Sequence, residues 1–332
     1  MLLSFAYICS NNKHNKMKYK TLTYLSLLFF VYSCKNATSS EKINVTTKDT
    51  VQTFRLPEVP VMLSSPEQRA IFLVNHYWEY TNLVDTNIIR HSEIIEQAWA
   101  NYCDILNYVP LNTAQSAIKE LTVKASKEKK VYDYLTYLAE KYLYDPNSPS
   151  RNEEFYIPVL ESMCDSPLLN EAEKIRPKAR LKLAQKNRIG TKAINFTYTL
   201  ASGKKGTLYQ ISTEYTILFI NNPGCHACTE IIRQLKSSQL INELIKENRL
   251  TVLALYPDED LEAWKQHRSD FSKVWINGYD EEQAINKKEL YDLKAIPTLY
   301  LLDKNKKVLL KDALLDDIIT QTQHPTKIKM II

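Results

Sequence analysis

The apolar residues of this 332-residue chain change their period near Gly190, and that change argues against a fold of one secondary-structure class. Upstream they recur at helical spacing; downstream short apolar runs alternate with amphipathic stretches. The length allows two domains, each burying its own core. Only 5 Gly stand against 21 Tyr, which suits helix packing better than an all-β fold full of tight turns.

Residues 56–188 read as a helical domain. "SSPEQRAIFLVNHYWEY" starts with a Ser cap and Pro66 in the first turn, and spaces Ile71, Val74 and Trp78 along one face. "HSEIIEQAWANYCDIL" offers Ser92 as cap and a stripe of Ile95, Trp99, Tyr102 and Leu106. "KKVYDYLTYLAEKYLY", "NEEFYIPVLESMC" and "LNEAEKIRPKARLKLAQKN" continue the pattern, with breaks at "DPNSP" and "DSP". Pro158 and Pro177 are expected to kink the last two helices or to delay their start. Short connections imply an antiparallel bundle of about five or six helices. Its many aromatics either fill the helix contacts or line a ligand groove.

Residues 189–332 read as a second domain of α/β class, a mixed sheet flanked by helices. "NFTYTL" and "LYQI" are strand candidates, followed by strand "YTILFI", a helix from His226 to Asn248, and strand "LTVLALY". Then come a helix at "EDLEAWKQHR", capped by Asp258 or Asp260, a strand at "VWIN" and a helix at "EEQAINKKELYDL". Strands "TLYLLD" and "VLLKDA" and helix "LLDDIITQ" close the order.

Residues 1–33 carry Lys13, Lys16, Lys18 and Lys20 and no acid, so the formal charge of +5 falls to 5 − 4 = +1 without them. A nearly neutral body gives no electrostatic case for nucleic acid. "MKYKTLTYLSLLFFVYSC" has a basic start and an apolar stretch too short to span a bilayer, the pattern of a signal peptide. Residues 1–16 lack that character, which makes Met17 a second candidate start. "VYSC" resembles a bacterial lipoprotein signal, in which Cys34 is lipidated and residues 34–55 form a flexible tether. The expected location is the cell envelope, lipid-anchored and periplasm-facing, where disulfides persist. Cys103, Cys164, Cys225 and Cys228 remain as thiols. Cys103 and Cys164 lie on helical stripes, either as free thiols or as a helix–helix disulfide.

In "NNPGCHACTEI", Cys225 falls where strand "YTILFI" hands over to a helix. Unpaired N–H groups and the helix macrodipole favour an anion there, a thiolate included. Cys228, one turn on, is the more buried partner within bonding reach. A redox dithiol, a structural disulfide and half of a metal site all fit the spacing. No second C-x-x-C or H-x-H is present to complete a metal site, so none is assigned. His226 between the cysteines either tunes the thiolate or serves as an exposed spacer. In "KAIPTLYLLD" the Ile296–Pro297 bond is of the kind able to be cis, and Pro297 lies 297 − 225 = 72 residues after Cys225. Asn222 stands where a peroxiredoxin needs Thr, which argues against peroxide chemistry.

Together, strand–C-x-x-C–helix, the leading strand pair, the inserted helix and strand, and "IPT" before the last hairpin make residues 190–322 resemble a thioredoxin-fold domain, of the envelope branch with TlpA and ResA. The whole chain resembles Bacteroidetes-type lipoproteins that pair a helical domain of unknown function with such a domain. "YDPNSPSRNEEFYIPVLE", "YPDEDLEAW", "WINGYD" and "ELYDLKAIPTLYLLDK" fit that group. The resemblance implies Cys225 as nucleophile, Cys228 as resolving thiol, Pro297 as cis-proline and the Ile296 backbone as a rest for a substrate strand. It implies a thiol–disulfide oxidoreductase without a cofactor, acting on disulfide or dithiol client proteins and served by an envelope redox partner. Two departures stand out: "PGC" lacks the Trp frequent before the first cysteine, and the position of the buried proton-accepting carboxylate holds Phe219. Glu230, two residues past Cys228, is turned roughly 200° away on a helix. The rival reading is a scaffold lipoprotein whose helical domain engages a partner while the dithiol is inert.

Overall fold

The structure, a computed structural model, describes residues 54–324. The signal segment, Cys34 and nearly all of the tether lie outside the described residues. Among those described, no helix is long and apolar enough to cross a membrane.

Among the described residues, six α-helices build the first half: α1 Pro66–His76, α2 Ser92–Leu106, α3 Leu111–Ala125, α4 Lys129–Ala139, α5 Glu153–Asp165 and α6 Glu171–Ala184. Ser65 and Gln68 form a reciprocal capping box on α1, with Pro66 at its first turn. Ser92 is not a cap. A 3₁₀ turn, Thr86–His91, runs straight into α2, so Ser92 is already helical and Asp85 caps the turn instead. Helix α3 escapes the periodicity reading because Ala114, Ala117, Thr122 and Ala125 supply much of its buried face. Small and hydroxyl residues leave a faint apolar stripe.

Pro158 and Pro177 both sit inside their helices. They delay neither start, because Asn152 and Asn170 cap the chain well before them. Pro158 has no N–H to give the Glu154 carbonyl, and Gln115 Nε2 of α3 donates there at 2.9 Å. Tyr77, Trp78, Trp99 and Tyr102 are buried with ring centroids 5.0–6.2 Å apart, so they are core and not a groove lining.

The second half is one seven-stranded sheet in the order β2-β1-β5-β4-β3-β6-β7. The strands are β1 Thr197–Leu200, β2 Lys205–Thr207, β3 Tyr215–Ile220, β4 Leu250–Tyr256, β5 Ile276–Tyr279, β6 Thr298–Asp303 and β7 Val308–Lys311. The central β3, β4 and β5 are parallel; every other pairing is antiparallel. All six residues of β3 are buried, as a strand covered on both faces requires. On one face Ile217, Phe219 and Val252 pack with helices α7 His226–Ser237, α8 Gln239–Lys246 and α11 Leu315–Gln323. On the other, Leu218, Leu253 and Tyr300 pack with Phe196, Tyr291 and Ile285 of the short α10 Ala284–Lys287. Helix α9 Leu261–His267 lies between β4 and β5.

Three expectations need correction. "LYQI" is no strand: β2 ends at Thr207 and Leu208–Gln210 is a 3₁₀ turn, closed by Thr207 N–H donating to Gln210 Oε1 at 2.8 Å. The helix expected from His226 to Asn248 breaks at Ser238, whose hydroxyl caps α8. "EEQAINKKELYDL" is helical only over Ala284–Lys287, because the following backbone bonds to the helical half instead. Gly278 lets β5 approach β1 closely: a Cβ there would meet Tyr198 Cδ2 at 3.0 Å and the Thr199 carbonyl at 3.2 Å.

Candidate active site

Strand β3 delivers the chain to the site, and Asn221 ends it by donating its backbone N–H to the Leu255 carbonyl at 3.0 Å. Gly224, at φ +73°, reverses the path in the left-handed region that glycine tolerates. Cys225 then occupies the N-cap of α7, where Ser or Asp would usually stand. The Cys228 N–H donates to Cys225 Sγ at 3.3 Å. The first sulfur therefore takes up one of the helix N-terminal donors that would otherwise lack a partner.

Both cysteines are free thiols. Cys225 is half-buried; Cys228 is 2% exposed and packs with Phe219, Ile232 and Leu235. Burial pushes the Cys228 thiol up to about 12, and its proximity to Cys225 adds to the rise. No carboxylate ranks among the leading influences on it. Phe219, fully buried, directs an aromatic ring to this face where an acid would have accepted the proton. Glu230 is otherwise engaged. Arg233 holds it through two bonds of 2.9 and 2.6 Å and Gln234 through one of 2.7 Å, which draws its carboxyl down to about 2.

The Ile296–Pro297 bond is cis. Strands β3 and β6 are antiparallel neighbours with Ile220 opposite Thr298, so the segment before β6 meets the loop after β3. The Cys225 thiol donates to the Ile296 carbonyl at 3.7 Å. The fold thus brings Cys225, Cys228, Ile296 and Pro297 together. His226 follows Cys225 but is exposed. Cys34 lies outside the described residues. Cys103 and Cys164 are free, Cys103 fully buried in the helical core.

One link escaped the sequence reading. Asp260 caps α9, accepting from the Ala263 N–H at 3.0 Å. Asp258 instead accepts from Asn222 Nδ2 at 3.1 Å and Asn286 Nδ2 at 2.7 Å. It ties the loop before Cys225 to α10. "YPDEDLEAW" held two acids of equal cap character, and only tertiary structure separates their roles.

A C-x-x-C with both thiols free at a strand–helix junction, beside a cis-proline that leads into the neighbouring antiparallel strand, defines a thioredoxin-like protein. Residues 213–308 match the thioredoxin-like family, and residues 33–187 match a domain of unknown function, DUF5106. A thioredoxin-like protein from Bacteroides caccae is 63% identical, with a TM-score of 0.80 over 82% of this chain and 99% of its own. The chain belongs to this thioredoxin-like family with a helical N-terminal domain. The C-terminal domain of an uncharacterized Bacteroides fragilis protein is 65% identical over 40% of this chain and 96% of its own, at a TM-score of 0.40. A domain of a possible thiol-disulfide isomerase from Cytophaga hutchinsonii is 27% identical over 43% of this chain and 99% of its own, at a TM-score of 0.36. No curated protein matches the chain.

Proposed function

We propose that the chain exchanges disulfides in client proteins of the cell envelope, with Cys225 as nucleophile and Cys228 as resolving thiol. The observation that carries this reading is the position of Cys225 Sγ: it accepts the Cys228 N–H at a helix N-terminus and lies 3.7 Å from the Ile296 carbonyl. Cys225 thiolate attacks a client disulfide, forming a mixed disulfide and releasing one client thiolate. Cys228 then gives its proton to the released client thiolate and attacks Cys225 Sγ, closing the Cys225–Cys228 disulfide and releasing the second client sulfur as thiolate. Two electrons pass to the client, and a dithiol partner of the envelope restores the pair. Run backwards, the same steps oxidise a client dithiol.

The signal-like "MKYKTLTYLSLLFFVYSC" supports a periplasm-facing lipid anchor on Cys34. Metabolic labelling with a radioactive fatty acid should mark the wild-type chain and leave Cys34→Ala unmarked. For the dithiol, Cys228→Ser should accumulate mixed disulfides with client proteins that reductant dissolves. An inert scaffold would leave that variant free of adducts, and no dithiol–disulfide cycle would appear in a redox titration.

A further inference from the structure

The segment that carries Ile296 and Pro297 leaves α10 at Lys287 and reaches β6 without regular structure. Its fastening comes from the helical half and the linker after it. Lys182 Nζ donates to Glu289 Oε2 at 2.8 Å, and Lys186 Nζ donates to the Glu289 carbonyl. Asn187 Nδ2 donates to the Leu290 carbonyl at 2.8 Å. Tyr291, buried, donates its hydroxyl to the Ile194 carbonyl at 2.6 Å.

The last fastening is ionic and buried. Lys294, with its side chain 7% exposed, places Nζ 2.6 Å from Glu153 Oε1 and 4.9 Å from the centroid of the Tyr144 ring. Asp292 Oδ2 lies 3.6 Å from the same ammonium. Glu153 opens α5, is 9% exposed, and pairs through its second oxygen with Lys311 of β7. Lys311 in turn donates to the carbonyls of Ala184 at 3.0 Å and Lys186 at 2.6 Å. Buried ion pairs of this kind contribute little net stability, yet removing one partner is costly, so they hold one geometry against others. Lys294 stands two residues before Ile296, whose carbonyl meets the Cys225 thiol. Only Ala295 separates the two residues along the chain.

We propose that Lys294 and Glu153 are positioning residues for the dithiol site: the helical half, through Glu153 and Tyr144, sets where the Ile296 backbone stands against Cys225. Its effect on turnover rests on the oxidoreductase reading; its effect on geometry does not. The helical domain is then part of the site's framework and not an appendage.

The test compares the full chain with Lys294→Met, Lys294→Arg and Glu153→Gln. Two disulfides serve as probes: a small symmetrical aromatic disulfide, which needs no backbone rest, and a disulfide-bonded peptide that must lie along Ile296. Lys294→Met should lower kcat/KM for the peptide about tenfold, mostly through KM, and change the aromatic disulfide by less than about threefold. Lys294→Arg should restore most of the peptide rate. Equal losses on both probes, or no loss on the peptide, would overturn the proposal. Hydrogen exchange supplies the readout that does not depend on turnover. Peptides spanning 292–298 should exchange about tenfold faster in Lys294→Met and Glu153→Gln, with β3 unchanged. Unchanged exchange at 292–298, or acceleration spread equally through β3, rejects the positioning role. If the wild-type chain turns over neither disulfide, the oxidoreductase reading falls by itself and exchange still decides the positioning.

Discussion

Two regions of this molecule bury polar chemistry, and they do it in opposite ways. At the seam between the halves, Glu153, Lys294, Lys311 and Asp292 are buried together, and opposite charges face one another. At the dithiol, Cys228 is buried with Phe219 and Cys225 and has no charge to face. Burial alone would lower the Lys294 ammonium, but Glu153 and Asp292 outweigh it and its affinity for the proton rises. Burial raises Cys228, and nothing outweighs it. The seam uses charge to fix a position, and its Lys294–Glu153 pair stays ionised. The dithiol sets a backbone N–H at a helix terminus against its first sulfur, and burial keeps the proton on its second.

The hardest test of that contrast is at the dithiol. Cys225→Ser should reduce disulfide turnover by about 10³-fold or more, since no other thiol caps a helix at the site. Residual turnover within about tenfold of wild type would move the nucleophile elsewhere. At the seam, Glu153→Ala leaves Lys294 and Lys311 buried without their shared carboxylate. It should cost about 3–5 kcal/mol in urea unfolding. A loss below about 1 kcal/mol would mean that water reaches the seam and that the charges are not held as described. A third measurement follows the unpartnered thiol. In Cys225→Ser, alkylation of Cys228 should keep rising by about tenfold per pH unit beyond the 9.0 of a free thiol, because burial is the leading cause of its shift. A plateau near pH 8 would mean that a hydrogen-bond donor or positive charge stabilises the Cys228 thiolate and outweighs its burial.

These two regions were also unequally legible from the amino-acid order. The dithiol announced itself locally: the short, β-branched run "YTILFI" read as a buried strand, and the cysteines follow it closely. "AIPT" marked the opposing segment through its resemblance to the thioredoxin fold, although 71 residues separate Ile296 from Cys225. The seam announced nothing. Glu153 and Lys294 lie 141 residues apart, and each reads alone as an ordinary surface charge on a helix start or a loop. "YDPNSPSRNEEF" read as a break and a helix start, and its further importance was marked by resemblance. Its function in the fold emerges when Arg151 donates to the Asp312 carbonyl at 2.9 Å and Arg188 pairs with Glu154. Helix α3 and the turn at Leu208 were missed for smaller reasons, a face of small residues and a backbone bond to the Phe196 carbonyl at 3.1 Å. Periodicity reports which residues leave water. It does not report which charges leave water in company.

The smallest expected effect separates the members of the seam from one another. Burial is the leading cause that raises the Asp292 carboxyl, to about 6, and the negative Glu153 adds to the rise while Lys294 opposes it. A folded value above the unfolded 3.8 means that folding takes up a proton between those limits. Stability conferred by Asp292 is therefore greatest below pH 4 and declines as pH rises to about 6, by about 1–3 kcal/mol in all. Asp312, raised by its own burial beside Arg151, Lys294 and Lys311, slopes the same way. Glu153 is shifted down by its two lysines, so its contribution is lost as pH falls below its ordinary 4.5 and leaves the interval from 5 to 7 to the aspartates. Asp292→Asn should flatten the decline in melting temperature between pH 5 and pH 7 without abolishing it. The variant should gain on wild type as pH rises through that interval. If the two melting curves stay parallel from pH 5 to pH 7, Asp292 is ionised throughout, and the seam holds one more full charge than its burial favours.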